Sequence, residues 1–211
     1  SVAGMAKYGI NPDKTLGVKI PVLRAMAKRL GKNHGLALEL WASGIHEARI
    51  LASMVDDPKQ LTLEQMDAWA KGFDSWDVCD QVIMNLFEKR KGLALQKVWV
   101  WAESGDEFVK RAAYVVIARL AVSDKKAPDS EFVRFFPLIK KGSSDPRNYV
   151  KKAVNWAVRQ IGKRNPALNK EALLLVEELL GEGNRPALWI ANDAKRELTD
   201  SKIQERLKSK S

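Results

Sequence analysis

Cysteine and histidine are almost absent from this chain. Cys79 is the single cysteine in 211 residues, which excludes an intrachain disulfide and fits a reducing cytoplasm. His34 and His46 are the two histidines, and together with Cys79 they make no zinc-ligand spacing, so neither a metal nor another cofactor is expected. No apolar run approaches the ~18–20 residues of a membrane-spanning helix, so no membrane partner is expected. Convincing strand alternation is also missing. The opening Ser1-Val2-Ala3-Gly4-Met5 carries no signal-peptide pattern and reads like the interior of a longer chain. Acidic residues are in deficit: 26 Asp+Glu stand against 36 Lys+Arg, a net charge of +10.

That excess is concentrated. Residues 107–165 hold 14 Lys+Arg against 5 Asp+Glu, a net of +9, while the remainder is nearly balanced at 22 against 21. The basic stretch has apolar helical periodicity, so its charge belongs to a folded surface rather than to a tail, and a polyanionic partner is expected.

What the sequence does have is helices. Pro21 opens one that runs to about residue 30, and others are expected at about 36–41, 46–55, 75–88, 106–122, 131–140, 147–164, 168–180, 186–198 and 201–208. Thr62 and Gln65 have the spacing of a capping box, and Asn165-Pro166 closes the helix before it. The helices repeat. Phe108-Val109-Lys110-Arg111-Ala112 reappears 41 residues on as Tyr149-Val150-Lys151-Lys152-Ala153, and a weaker echo, Ala187-Leu188-Trp189-Ile190-Ala191, follows after a further 38. A helix-pair period near 40 marks HEAT or armadillo repeats. The expected fold is therefore all-α: one domain over residues 1–211, a right-handed α-solenoid with a concave basic surface on which Arg111, Lys152 and their neighbours share a wall.

Two aromatic-acidic and aromatic-basic clusters stand out against this frame. In Ser75-Trp76-Asp77-Val78-Cys79-Asp80, Asp74 or Ser75 can cap a helix and Asp77 then sits in its first turn, where the helix dipole favours a carboxylate. Asp80 lies four residues after Trp76, on the same helix face. An acid on a surface built for a polyanion costs binding energy unless it does chemistry; its bland alternative is an ion pair with a nearby Lys or Arg. Downstream, Trp156 lies four residues after Lys152, with Asn155, Arg159 and Lys163 continuing the polar face. Lys110, Arg111, Lys151, Lys152 and Arg159 are candidates to hold phosphates, and aromatic faces can meet sugars or bases. Trp41, Trp69, Trp99 and Trp101 are read as core.

In order and spacing, Met5-Ala6-Lys7-Tyr8, Leu16 through Arg24, Ser75 through Asp80, Phe108 through Ala112 and Val150 through Trp156 resemble the AlkD-like DNA alkylation repair proteins, the HEAT-like-repeat DNA glycosylases. The resemblance covers nearly the whole chain. It implies a catalytic aspartate at Asp80, substrate-cradling tryptophans at Trp76 and Trp156, a DNA-contacting arginine at Arg111 and an N-terminal aromatic contact at Tyr8. Better-known members carry paired tryptophans where this chain has Ser75-Trp76. Only seven residues precede Tyr8, so the family's first helix is expected to be trimmed.

The implied chemistry is hydrolysis of the N-glycosidic bond of 7-methylguanine- or 3-methyladenine-type bases in double-stranded DNA, without full base flipping. Such a base is already cationic and needs no general acid to leave. Positive charge develops on the sugar, where a fixed carboxylate and two indole faces can stabilise it. The implied protein is a monofunctional glycosylase, monomeric and cytoplasmic, and nucleoid-associated when bound to DNA. Some relatives bind DNA without excising bases. A DNA-structure binder and a HEAT-repeat protein-interaction scaffold are the alternatives.

Overall fold

Six helices of this protein begin where a short polar side chain holds the first free amides. The computed structural model describes residues 2–5, 7, 12 and 14–209, and in it Asn33, Thr62, Asp106, Asn165, Asn184 and Asp200 each accept a first-turn backbone N–H through the side chain. Among the described residues the secondary structure is all helical. The α-helices are α1 Val2–Met5, α2 Ile20–Leu30, α3 His34–Ala42, α4 His46–Val55, α5 Leu63–Lys71, α6 Trp76–Asn85, α7 Lys91–Trp101, α8 Glu107–Ser123, α9 Asp129–Val133, α10 Phe136–Gly142, α11 Asn148–Gly162, α12 Pro166–Gly181, α13 Arg185–Leu198 and α14 Ser201–Lys208. The fold is all-α and HEAT-like, as the repeats indicate.

Two boundaries differ from the sequence reading. The helix expected at about 75–88 ends at Asn85, where Leu86 adopts φ −126° and ψ −60° and a 3-10 turn, Phe87–Arg90, takes over. Asn85 itself is turned inward and donates to Ser53 Oγ at 3.1 Å. The helix expected at about 131–140 is two helices, α9 and α10. Pro137, in the first turn of α10, has no N–H to continue the ladder from α9, so the chain restarts there.

The chain divides into two compact units, Ser1–Lys97 and Val98–Ser211. In the first, α4 is central and packs with α2, α3 and α6. In the second, α11 is central and packs with α8, α10, α12 and α13. The whole basic stretch 107–165 falls in the second unit.

Hydrogen bonds between helices follow the repeat, but with a different period in each unit. In the second unit one set joins residues 38 to 43 apart, among them Arg111 to Tyr149, Asn155 to Asp193 and Arg164 to Ala121. In the first unit the corresponding set lies 30 to 32 apart, among them Lys97 to Asp67, His46 to Asp77 and Asn85 to Ser53. The shorter repeat of the first unit explains why the 41-residue echo is clear only downstream. Trp69 and Trp101 are core as expected, each 3% exposed, and Trp41 stacks on Trp69 with centroids 4.3 Å apart. Trp99 is not core: it is 43% exposed.

Close packing in the second unit requires two glycines. A Cβ on Gly142 would overlap the ring and hydroxyl of buried Tyr114, whose Oη donates to the Leu138 carbonyl at 3.1 Å. A Cβ on Gly162 would lie 2.7 Å from Leu198 Cδ2. Tyr114 is held at both ends, so the ring has nowhere to move. Gly142→Ala should therefore destabilise the second unit by about 1–3 kcal/mol, the usual cost of overpacking. Thermal or urea unfolding checks this against Gly105→Ala, where a new Cβ meets nothing within 4 Å.

Candidate nucleic-acid interface

In the first unit, α6 is oriented by its buried stripe. Val78, Cys79, Val82 and Ile83 are fully buried, which leaves Trp76, Asp77, Asp80 and Gln81 half-buried on the other side. At 100° per residue, Asp80 lies between Trp76 and Asp77 around the helix, one turn further on. The indole and the carboxylate therefore share a face, as the spacing predicts. Ser75 occupies the N-cap position but makes no side-chain cap bond.

Asp77 has a larger part than a first-turn acid. Its Oδ2 accepts from His46 Nε2 at 2.8 Å, across α4 and α6, and His46 is only 5% exposed. Burial disfavours the imidazolium, but the hydrogen bond and charge of Asp77, with the nearby carboxylates of Glu47 and Asp74, outweigh it and hold His46 above its ordinary value of 6.5. Burial likewise opposes the Asp77 carboxylate, and His46 outweighs that too, holding Asp77 below its ordinary 3.8. Beside this pair, the buried Glu47 accepts backbone N–H groups of Leu16 (2.8 Å), Gly17 (2.7 Å) and Val18 (3.2 Å), so one carboxylate clips the approach segment of α2 onto α4. A cavity of about 300 Å³ lies against Gly17, Val18, His46, Glu47 and Asp77. None of this was legible from the sequence, because each partner lies about thirty residues away and His46-Glu47 has no motif around it.

In the second unit, α11 presents a polar stripe between α8 and α13. Lys152, Trp156, Arg159, Gln160 and Lys163 fall within about 100° of arc, while Val150, Ala153, Val154, Ala157, Val158 and Ile161 are buried. Trp156 is half-buried and Lys152 is exposed. The repeat makes Arg111 the equivalent of Lys152, yet the two are placed differently. Arg111 is 6% exposed and donates through Nη1 to the Tyr149 carbonyl at 2.8 Å. The open wall expected to carry both residues is therefore open at Lys152 and closed at Arg111. The physical reason is the α8–α11 contact, which covers the long side chain and gives its guanidinium a carbonyl.

Much of the +9 stretch is likewise matched by acids, one of them within the stretch and others outside it. Lys110 pairs with Asp145 at 3.1 Å, and Arg147 pairs with the same carboxylate at 2.7 Å. The Arg147 hydrogen bond is the main reason that Asp145 sits at about 2, against the opposing effect of burial and with help from Lys110. Arg159 and Lys163 both pair with Glu197 of α13, and Lys141 pairs with Glu103 at 2.6 Å. Lys151 stands over the Trp189 ring at 4.6 Å, a cation–π contact. Lys125, Lys126 and Lys152 are exposed and pair with no carboxylate among the described residues. Tyr8, the expected N-terminal contact, lies outside the described residues. The described residues hold no cluster of three or more metal-ligating side chains, and no helix is long and apolar enough to cross a membrane.

A family model described as "DNA alkylation repair enzyme" matches residues 1–198. The chain belongs to that family. A solved structure described as "a new family of proteins related to the HEAT-like repeat DNA glycosylases with affinity for branched DNA structures" superposes with a TM-score of 0.73 at 21% identity, covering 84% of this chain and 76% of that one. At that identity the likeness carries the fold, and it agrees with the helical repeats. A search of curated proteins finds no match. For this member of the DNA alkylation repair family, then, the acidic-aromatic face of α6 belongs to the first unit and the basic-aromatic stripe of α11 to the second.

The His46–Asp77 pair has a pH signature. A raised histidine contributes stability that is fully present below 6.5 and is lost as pH rises through its folded value; a lowered aspartate contributes stability that is present above 3.8 and is lost as pH falls through its folded value. The pair therefore contributes most between those two ordinary values. In urea unfolding, the stability gap between wild type and His46→Gln should be widest there and should close as pH rises past the folded histidine value. A gap independent of pH would mean that the pair acts by packing alone.

Proposed function

We propose that this protein is a monofunctional DNA glycosylase that releases cationic alkylated purines from duplex DNA. Support comes first from the family, whose description names alkylation repair. The single observation that carries the reading further is the face of α6, where Asp80 and Trp76 lie together, half-buried, on a helix whose other side is locked into the core. A lesion alkylated at N7 of guanine or N3 of adenine carries its positive charge on the base. As the bond to C1′ breaks, the electron pair goes to the base, which departs neutral, and positive charge passes to the sugar. Asp80 stabilises that charge and orients water, which adds to C1′ and loses a proton. Trp76 offers its π face to the same developing charge, and Trp156 offers an indole to deoxyribose. Lys152 makes the open phosphate contact, while Lys110, Lys151, Arg159 and the covered Arg111 supply positive potential from paired positions. No step requires a metal or a second substrate other than water.

The relative with affinity for branched DNA favours a second reading, in which this protein recognises DNA structure without excision. Asp80→Asn separates the two. It is nearly isosteric and removes a negative charge from the DNA side. Release of methylated base from alkylated duplex should fall by two to three orders of magnitude, about 3–4 kcal/mol, with binding unchanged or tighter. Wild-type protein that binds branched DNA and releases no base would establish the second reading.

The basic stripe has its own test. Lys152→Ala should weaken binding to damaged and undamaged duplex alike and flatten the slope of log K against log salt by about 0.9, because phosphate contacts carry no sequence information. Trp156→Ala should reduce excision more than it reduces binding to undamaged duplex. An unchanged slope for Lys152→Ala would place the DNA off α11.

A further inference from the structure

At the carboxyl ends of α8 and α11 the second unit holds a cavity of about 410 Å³ that is strongly basic. Lys125, Lys163, Arg164 and Arg206 line it with Gln160 and Asn165, and no acidic residue among the described residues does so. Helix carboxyl ends ordinarily repel anions, because their last carbonyls point outward. Here Arg164 removes that obstacle. Its Nη1 donates to the carbonyls of Ala121 and Asp124, both at 2.8 Å, and its Nη2 to that of Ala127 at 3.1 Å. The guanidinium also stacks on Phe132 at 4.2 Å. A fixed positive charge therefore stands where the negative end of α8 would be. Lys163 is held in place by Glu197, while Lys125 and Arg206 are exposed and form no ion pair among the described residues. The cavity is a preorganised cationic seat with two exposed arms.

The cavity also continues the α11 stripe. Gln160 lies one turn beyond Trp156 and Lys163 two turns beyond, about 6 and 10 Å along the axis at 1.5 Å per residue. At 3.4 Å per base along one strand, that is two to three nucleotides. We propose that this cavity seats a backbone phosphate of the bound DNA, two to three nucleotides from the sugar that meets Trp156, with Lys125 and Arg206 closing on it. The assignment rests on the reading of α11 as a DNA-contacting helix and extends it to a second, defined anchoring point. The chemistry required is a phosphodiester: a tetrahedral monoanion small enough for the cavity and accepting from several cations at once.

The test is binding of the full chain to duplexes in which single phosphates are replaced by neutral methylphosphonates, position by position, for wild type, Lys152→Ala and the double variant Lys125→Ala/Arg206→Ala. Both residues of the double variant are exposed, so it is expected to fold, and its melting point is measured alongside. Wild type should show two groups of sensitive phosphates about four to five nucleotides apart, because the cavity lies roughly 12 to 16 Å beyond Lys152 along the helix axis. The double variant should become insensitive at one group only, and its log K–log salt slope should flatten by about 0.9 for each phosphate it no longer neutralises. If the double variant keeps both groups and the wild-type slope while Lys152→Ala flattens it, the cavity is no phosphate seat and the α11 reading stands. If wild type binds duplex with no salt-dependent slope, both fall together.

Discussion

Helix α11 has one apolar stripe and several neighbours, and it cannot be buried by any one of them. It packs on α8, α10, α12 and α13 at once, and its backbone and side chains are tied to the repeats on either side. Arg111 donates to the Tyr149 carbonyl from the preceding repeat, and Glu107 accepts the Tyr149 N–H. Asn155 donates to Asp193, and Arg159 pairs with Glu197, from the following one. Because a helix pair in such a fold hides its apolar face only by stacking, these polar groups near the seam find their partners one repeat away. Those bonds leave α11 one face for anything outside the protein. That face carries Lys152 and Trp156.

The same constraint explains how the charge is used. A surplus of cations invites a polyanion, yet a folded interior cannot hold unpaired charges. Asp145 resolves the conflict for Lys110 and Arg147, and Glu197 for Arg159 and Lys163. Arg111 and Arg164 go to backbone carbonyls instead. Because two cations share each of these carboxylates, they lose flexibility yet keep part of their positive field, which suits a surface that must position phosphates rather than merely attract them. In the first unit the logic runs through acids. Glu47 commits its lone pairs to three amides and Asp77 to His46, so two of the acidic groups around α4 and α6 are structural.

What the sequence by itself determined is whatever is local or periodic. Helix starts at Thr62 and Asp106 are set within three residues, each by a side chain that accepts a hydrogen bond from a first-turn amide. The sharing of one face by Trp76 and Asp80, and by Lys152 and Trp156, follows from a 3.6-residue turn. The all-α HEAT-like repeat follows from the 41-residue echo. Tertiary structure alone decided what depends on neighbours a repeat away: that Arg111 is covered while its equivalent Lys152 is open, that Trp99 is exposed, that Asp77 meets His46, and that four cations converge at the ends of α8 and α11. Burial and pairing are properties of two helices at once, and a side chain's own helix cannot say which neighbour will cover it.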